Sequence, residues 1–204
     1  MMTYNLHTYF IMGSTNANVT ILEEALQAGI TLFQLREKGE GAKTGDDLLQ
    51  FAKACQHLCQ QYNVPFIVND DVPLAIALQA DGIHIGQDDA HVATVRKQLP
   101  HAILGVSAHN KKEIKQAVLD GADYVGIGPI FTTASKDDAQ QPCGIETLQA
   151  LQEAFPRVPK VAIGGITINN VQAVRATGVN GIAVISAISA ADDVKAAVTS
   201  LRNM

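Results

Sequence analysis

Apolar residues along the chain follow two patterns. Short uninterrupted runs, such as Phe66-Ile67-Val68 between Pro65 and Asn69, alternate with longer stretches where apolar residues return every three or four positions, as Ile114, Ala117 and Val118 do. The runs read as strands covered on both faces, and the longer stretches as helices with one inner side. In chain order this predicts strands over His7–Met12, Ile30–Leu35, Phe66–Val68, Gly82–Ile85, Ile103–Val106, Tyr124–Gly128, Lys160–Ile163 and Gly181–Ile185. Helices are predicted over Val19–Ala28, Asp46–Tyr62, the segment from Asp71 to the stop at Asp81-Gly82, Ala90–Leu99, Lys111–Asp120, Ile145–Phe155, Asn169–Thr177 and Asp192–Arg202.

Four junctions echo one another. ALQAG-ITLFQLR, ALQAD-GIHIG, AVLDGA-DYVGIG and AVRATGVN-GIAVIS each close a helix on Ala with Gly or Asp and enter a buried strand. Eight such alternations in 204 residues, roughly 25 residues per unit, match the compact limit of the (β/α)8 TIM barrel, with residues 1–204 as a single domain. An open doubly wound sheet is the alternative. It would carry fewer strands and a G-x-G-x-x-G turn after the first, which Gly13-Ser14-Thr15-Asn16 is not.

Parallel strands deliver the loops that follow them to one end of the sheet, so Asn69-Asp70 and Asp88-Asp89 face one pocket. Asp71 and Asp88 suit helix N-caps. Asp70 and Asp89 remain as oxygen ligands, and hard oxygen donors without nearby Cys suit Mg²⁺ better than Zn²⁺. The plain alternative for both is a solvated loop carboxylate. Gly164-Gly165 and Ser186-Ala187 follow the last two strands, where barrels bind phosphate through backbone N–H groups. Thr132, Thr133, Ser135 and Lys136 in the longest loop, 129–144, add hydroxyls and an ammonium, and Arg36 and Lys38 leave the second strand together. A phosphate at one end and a metal-bound pyrophosphate at the other is the ligand this arrangement fits.

Composition narrows the reading further. With 47% apolar and 17% charged residues the chain can build one sizeable core. No apolar run approaches the ~18 residues of a membrane span, and the start has no signal-peptide pattern, so a cytoplasmic protein without membrane contact is expected. A net charge of −5 and the absence of a basic block argue against nucleic acid. Cys55, Cys59 and Cys143 read as small buried hydrophobes. A homo-oligomer is compatible with this composition.

QLREK at Gln34–Lys38, VNDD at Val68–Asp71, GIHIGQDD at Gly82–Asp89, GVSAH at Gly105–His109, DYVGIGPIF with T-x-S-K up to Lys136, AIGGI at Ala162–Ile166 and VISAI at Val184–Ile188 resemble, in order, the motifs of the thiamine-phosphate synthase family. The resemblance implies a Mg²⁺-dependent transferase of thiamine biosynthesis that joins a phosphorylated pyrimidine to a phosphorylated thiazole and releases pyrophosphate. It implies that Asp70 and Asp89 hold Mg²⁺, and that Arg36, Lys38, Asn69 and Lys136 hold the diphosphate with Ser107 beside the leaving group. Thr133, Ser135, Gly165, Ile185 and Ser186 would hold the thiazole phosphate, and Gln34 and His84 would reach the pyrimidine. Ser107, Lys136, Arg36 and Lys38 are then the catalytic set. A thiazole tautomerase of the same fold, with His109 as acid-base group, and a non-catalytic phosphate-ligand sensor are the alternatives. Neither employs Asp70, Asp89, Arg36 and Lys38 together.

Overall fold

The computed structural model describes residues 4–87, 89–135 and 141–203. Eight strands alternate with helices in the order β1 (Thr8–Met12), α1 (Val19–Gln27), β2 (Leu32–Leu35), α2 (Gly45–Gln61), β3 (Phe66–Asn69), α3 (Val72–Leu78), β4 (Gly82–Ile85) and α4 (Val92–Gln98). The second half continues with β5 (Ile103–Ala108), α5 (Lys111–Leu119), β6 (Tyr124–Ile127), α6 (Gly144–Ala154), β7 (Lys160–Ile163), α7 (Val171–Arg175), β8 (Gly181–Val184), α8 (Ser186–Ser189) and α9 (Val194–Asn203). Every neighbouring pair is parallel, and β8 pairs with β1 through Thr8 with Ile182 and Phe10 with Val184, which closes the sheet. Closure excludes the open doubly wound alternative.

The strand runs look uniformly apolar because their two faces pack against different partners. Phe10, Phe33 and Phe66 point outward, with ring centroids 6.1 and 6.0 Å apart, into the layer between strands and helices. Tyr9, Ile11, Leu32, Ile67, Tyr124, Val161, Ala183 and Ile185 form a separate cluster inside the barrel. Successive side chains of a strand alternate faces. Two residues beyond Leu32 and Ile67 come Gln34 and Asn69, and two beyond Gly82 and Gly105 come His84 and Ser107. The register sets Asn69 opposite His84, His84 opposite Gly105 and Ser107 opposite Gly126. Gln34, Asn69, His84 and Ser107 are thus inward-facing polar residues toward the C-terminal mouth.

Element ends shift where side chains or turns claim the backbone. Ile30 donates its N–H to Ala25 O as α1 closes, so β2 starts only at Leu32. Asp71 caps α3 by accepting from Leu74 N at 2.9 Å. The N-cap of α4 is His91, not Asp88, which lies outside the described residues. Asn170 keeps the first turn out of α7: it accepts from Thr167 N at 2.8 Å and donates to Gly165 O at 2.9 Å. Among the described residues no helix is long and apolar enough to cross a membrane.

Candidate active site

The mouth of the barrel holds a cavity of about 260 Å³. Of the residues singled out from the sequence, Lys38, Asp89, Ser107, Thr133, Ser135, Gly165, Ile185 and Ser186 line it. Asp70 joins through Lys38. Gln34 and His84 lie deeper, 2% and 9% exposed, beneath the cavity floor. Lys136 falls outside the described residues.

One end of the cavity is acidic with a cation between its carboxylates. The Lys38 ammonium forms an ion pair with Asp70 Oδ2 and stands 3.9 Å from Asp89 Oδ1. Asn69 Nδ2 donates to Asp70 Oδ2 at 2.6 Å, and Asp89 Oδ2 accepts from Gly86 N at 2.8 Å. Asp70 has a left-handed backbone, φ 61°, and its N–H donates to His84 O at 2.9 Å. That conformation costs a non-glycine residue on the order of 1 kcal/mol, and here it goes with a backbone N–H on β4 and a carboxylate on Lys38 and Asn69. Burial, reinforced by Asp89, pushes the Asp70 carboxyl above the ordinary range despite Lys38. Burial pushes Asp89 the same way, but the hydrogen bonds with Asp70 and from the Gly86 N–H, together with Lys38, outweigh it and leave Asp89 below the ordinary range. Two carboxyls this close resist joint ionisation unless a cation separates them.

This donor set fits a hard divalent ion that keeps water and takes further oxygens from a ligand. The described residues offer no group of three or more His, Cys, Asp or Glu that would make a complete protein cage. Mg²⁺ is the ion commonly bound by one or two carboxylates together with substrate phosphates.

The β2–α2 loop that carries Lys38 is tied down by a residue the sequence reading passed over. Glu37 accepts from the backbone N–H groups of Ser14 and Lys43, both at 2.8 Å, and from the Ser14 hydroxyl. Arg36 N donates to Met12 O at 2.8 Å, and a Cβ on Gly13 would sit 2.2 Å from Arg36 O, so only glycine admits this approach. The signal was in the sequence, as an acid between two cations.

The opposite end is built of hydroxyls and glycine backbone. Ser135 Oγ donates to Ser186 Oγ at 3.2 Å, and Ser135 N donates to Thr133 Oγ1 at 3.2 Å. Gly165, at φ 64°, packs so tightly that a Cβ would lie 2.5 Å from Thr132 O. Ser186 opens α8 with Ile185 at its N-cap, so the N–H groups that begin its first turn stand beside these hydroxyls. Between the two ends, Gln87 Nε2 donates to Ser107 O at 2.6 Å. His109 also lines the cavity, with Nδ1 3.0 Å from Glu113 Oε2. Gln87, Tyr9 and Tyr124 are further members of this architecture to which the sequence assigned no role, although Gln87 lies within GIHIGQDD and Tyr124 within DYVGIGPIF.

Residues 8–188 match a family model described as thiamine monophosphate synthase. A thiamine-phosphate synthase of Lysinibacillus sphaericus is 52% identical, over 98% of this chain and 96% of its own length. One from Geobacillus kaustophilus is 51% identical, over 98% and 92%. Among solved structures, a thiamine phosphate pyrophosphorylase from Pyrococcus furiosus superposes with a TM-score of 0.88 at 35% identity, covering 97% of this chain and 94% of that one. A 3-hexulose-6-phosphate synthase, at 15% identity and a TM-score of 0.67, shares the fold alone.

Proposed function

The chain belongs to the thiamine monophosphate synthase family, and from that premise we propose that it is a transferase joining 4-amino-2-methyl-5-(hydroxymethyl)pyrimidine diphosphate to 4-methyl-5-(2-phosphoethyl)thiazole, or its carboxylate. The products are thiamine monophosphate and pyrophosphate; from the carboxylate, carbon dioxide also leaves and a proton takes its place on the ring carbon. The observation that carries this reading is a single cavity with a cation between paired carboxylates at one end and a hydroxyl and glycine cradle at the other. Its two ends fit one diphosphate and one monophosphate. A cytoplasmic location fits the same reading.

The ester C–O bond of the pyrimidine substrate breaks with both electrons leaving on the diphosphate. The thiazole ring nitrogen then donates its lone pair to the pyrimidine methylene carbon. No proton moves in forming the thiazolium, so the protein needs no general base. Its work is alignment and charge stabilisation on the leaving group. Asp70 and Asp89 would hold Mg²⁺, which when bound neutralises charge on the departing diphosphate. Arg36, Lys38, Asn69 and Lys136 hold the diphosphate oxygens, and Ser107 meets the substrate between the two ends. Thr133, Ser135, Ser186 and the backbone of Gly165 and Ile185 grip the thiazole phosphate and point the ring nitrogen inward. Gln34 and His84 act from beneath, under the pyrimidine.

The test is to mix both phosphorylated substrates with the protein and Mg²⁺ and to measure pyrophosphate and thiamine phosphate. Formation of both, abolished by EDTA, is expected. Full turnover in metal-free buffer would remove Asp70 and Asp89 from the metal role. Isomerisation of the thiazole carboxylate phosphate without pyrimidine substrate would instead favour a tautomerase built on His109 and Glu113.

A further inference from the structure

A continuous hydrogen-bonded chain crosses the barrel interior beneath the cavity. Gln34 Nε2 donates to Tyr9 Oη at 2.7 Å, and Tyr9 Oη lies 2.9 Å from Tyr124 Oη. Tyr124 Oη lies 3.0 Å from His84 Nδ1, and His84 Nε2 lies 3.1 Å from Ser107 Oγ. Only Ser107 reaches the cavity wall.

We infer that this chain is polarised in one direction, so that Gln34, Tyr9, Tyr124 and His84 act as positioning residues that present Ser107 to the substrate as a hydrogen-bond donor. An amide nitrogen can only donate, so Tyr9 Oη accepts from Gln34. The Tyr9 proton then goes to Tyr124, its other hydrogen-bonding neighbour among the described residues. Tyr124, having accepted, directs its own proton to His84 Nδ1. That nitrogen must carry its lone pair, which puts the imidazole proton on Nε2, facing Ser107 Oγ. Ser107 accepts from inside the barrel, and its own proton turns outward into the cavity.

Burial and hydrogen-bond accounting support the polarity, and the glycine clearances support the contact itself. Tyr9 and Tyr124 are fully buried, and burial holds both phenols far above their ordinary range, so each keeps its single proton. An imidazolium would donate at both nitrogens and leave the Tyr124 hydroxyl proton, fully buried, without an acceptor among the described residues, which costs about 1–3 kcal/mol. The barrel also makes room for the central joint. A Cβ on Gly105 would lie 2.3 Å from Tyr124 Oη and 2.4 Å from His84 Nδ1, and one on Gly126 would lie 3.2 Å from His84 Cε1.

A lone serine hydroxyl rotates between donor and acceptor roles. Fixed as a donor, Ser107 selects an acceptor on the substrate, either a pyrimidine ring nitrogen or a diphosphate oxygen, and turns away the exocyclic amine. Calorimetry on Ser107→Ala separates the two sources, with a roughly tenfold weakening expected for inorganic pyrophosphate in the one case or for the free pyrimidine alcohol in the other. If neither weakens, Ser107 is no donor and the inference falls.

The polarity itself is read on the ligand-free protein, independently of the activity proposed above. Long-range ¹H–¹⁵N spectra of histidine-labelled protein at about pH 8.5, where an ordinary imidazole is neutral, report the protonated nitrogen. His84, identified by the signal missing from His84→Gln, is expected as the Nε2–H tautomer. An Nδ1–H form or an imidazolium would overturn the inference. Gln34→Met removes the donor that starts the chain, so a substantial Nδ1–H population should appear. A spectrum unchanged from wild type would overturn the role of Gln34. The kinetic arm, which rests on the proposed reaction, uses Tyr124→Phe. We expect kcat about tenfold lower with the KM for the thiazole phosphate unchanged within about twofold, and a wild-type kcat would show that the chain does not reach the chemistry.

Discussion

The Lys38 ammonium contacts Asp70 and stands 3.9 Å from Asp89 Oδ1, so one side chain balances two carboxylates delivered by different strands. Its replacement separates the resting protein from the working one. Without a ligand, Lys38→Met leaves two carboxyls facing each other, and unfolding in urea with EDTA at pH 7 should show a loss of about 1 kcal/mol or less, since the pair is partly in water. Millimolar Mg²⁺ should restore most of it by binding the folded state alone. On the proposed role of the ammonium toward the diphosphate, kcat should fall on the order of 10²-fold, as for loss of one preorganised electrostatic donor. Stability that ignores Mg²⁺ would detach the two aspartates from the cation.

Ser186 and Ser135 hydrogen-bond across 3.2 Å between loops 51 residues apart, which marks the other end of the cavity. Ser186→Asp would set a carboxylate against the thiazole phosphate. The KM for the thiazole should rise by more than tenfold while that for the pyrimidine diphosphate moves by less than about threefold. Equal effects in steady-state kinetics would mean that the two ends of the pocket are misassigned.

Much of this architecture is written locally. The strands appear as short apolar runs, and Asp70 and Asp89 stand out because each follows one. Asp71 announces itself as a cap. What the sequence hides is the difference between the two faces of a strand buried on both: Tyr9 and Phe10 are neighbours in one apolar run, yet one joins the interior polar chain and the other packs under helices. The contact between Tyr9 and Tyr124 spans 115 positions and exists only because the barrel closes. Gly105 reads as a plain strand glycine until Tyr124 and His84 are seen above it. Ser186–Ser189 is likewise too short to carry a helical period, so its turn is set by where β8 ends.

Lys136 belongs to the cations assigned to the leaving group, and bond cleavage builds charge there. Its ammonium would do more for the transition state than for bound substrate, which already meets Arg36 and Lys38. Lys136→Ala should lower kcat on the order of 10²-fold with a smaller rise in the KM of the diphosphate substrate. A change within about twofold is what a solvated surface lysine would give, and that outcome would leave Arg36 and Lys38 alone on the diphosphate.

At the closed end of the barrel, far from the chemistry, Lys160 is fully buried at the start of β7. Its Nζ donates to the carbonyls of Phe155 and Val158, the latter at 2.8 Å, and so serves the C-terminal end of α6. Burial lowers its pKa from 10.5 to about 8. The unfolded chain therefore binds a proton that the folded one releases between about pH 8 and 10.5, and in that window this residue makes stability rise with pH. The gain cannot exceed about 1.4 kcal/mol per pH unit, and a total on the order of 1–3 kcal/mol is expected. Tyr4, which burial pushes up to about 12, works against it by losing stability as the unfolded phenol ionises. Comparing wild type with Lys160→Met cancels that contribution. The difference in unfolding free energy should move in favour of wild type from pH 8 to 10 in urea titrations. A difference that stays flat with pH would mean that Lys160 keeps its proton in the folded state throughout, held by the two carbonyls more strongly than burial opposes it.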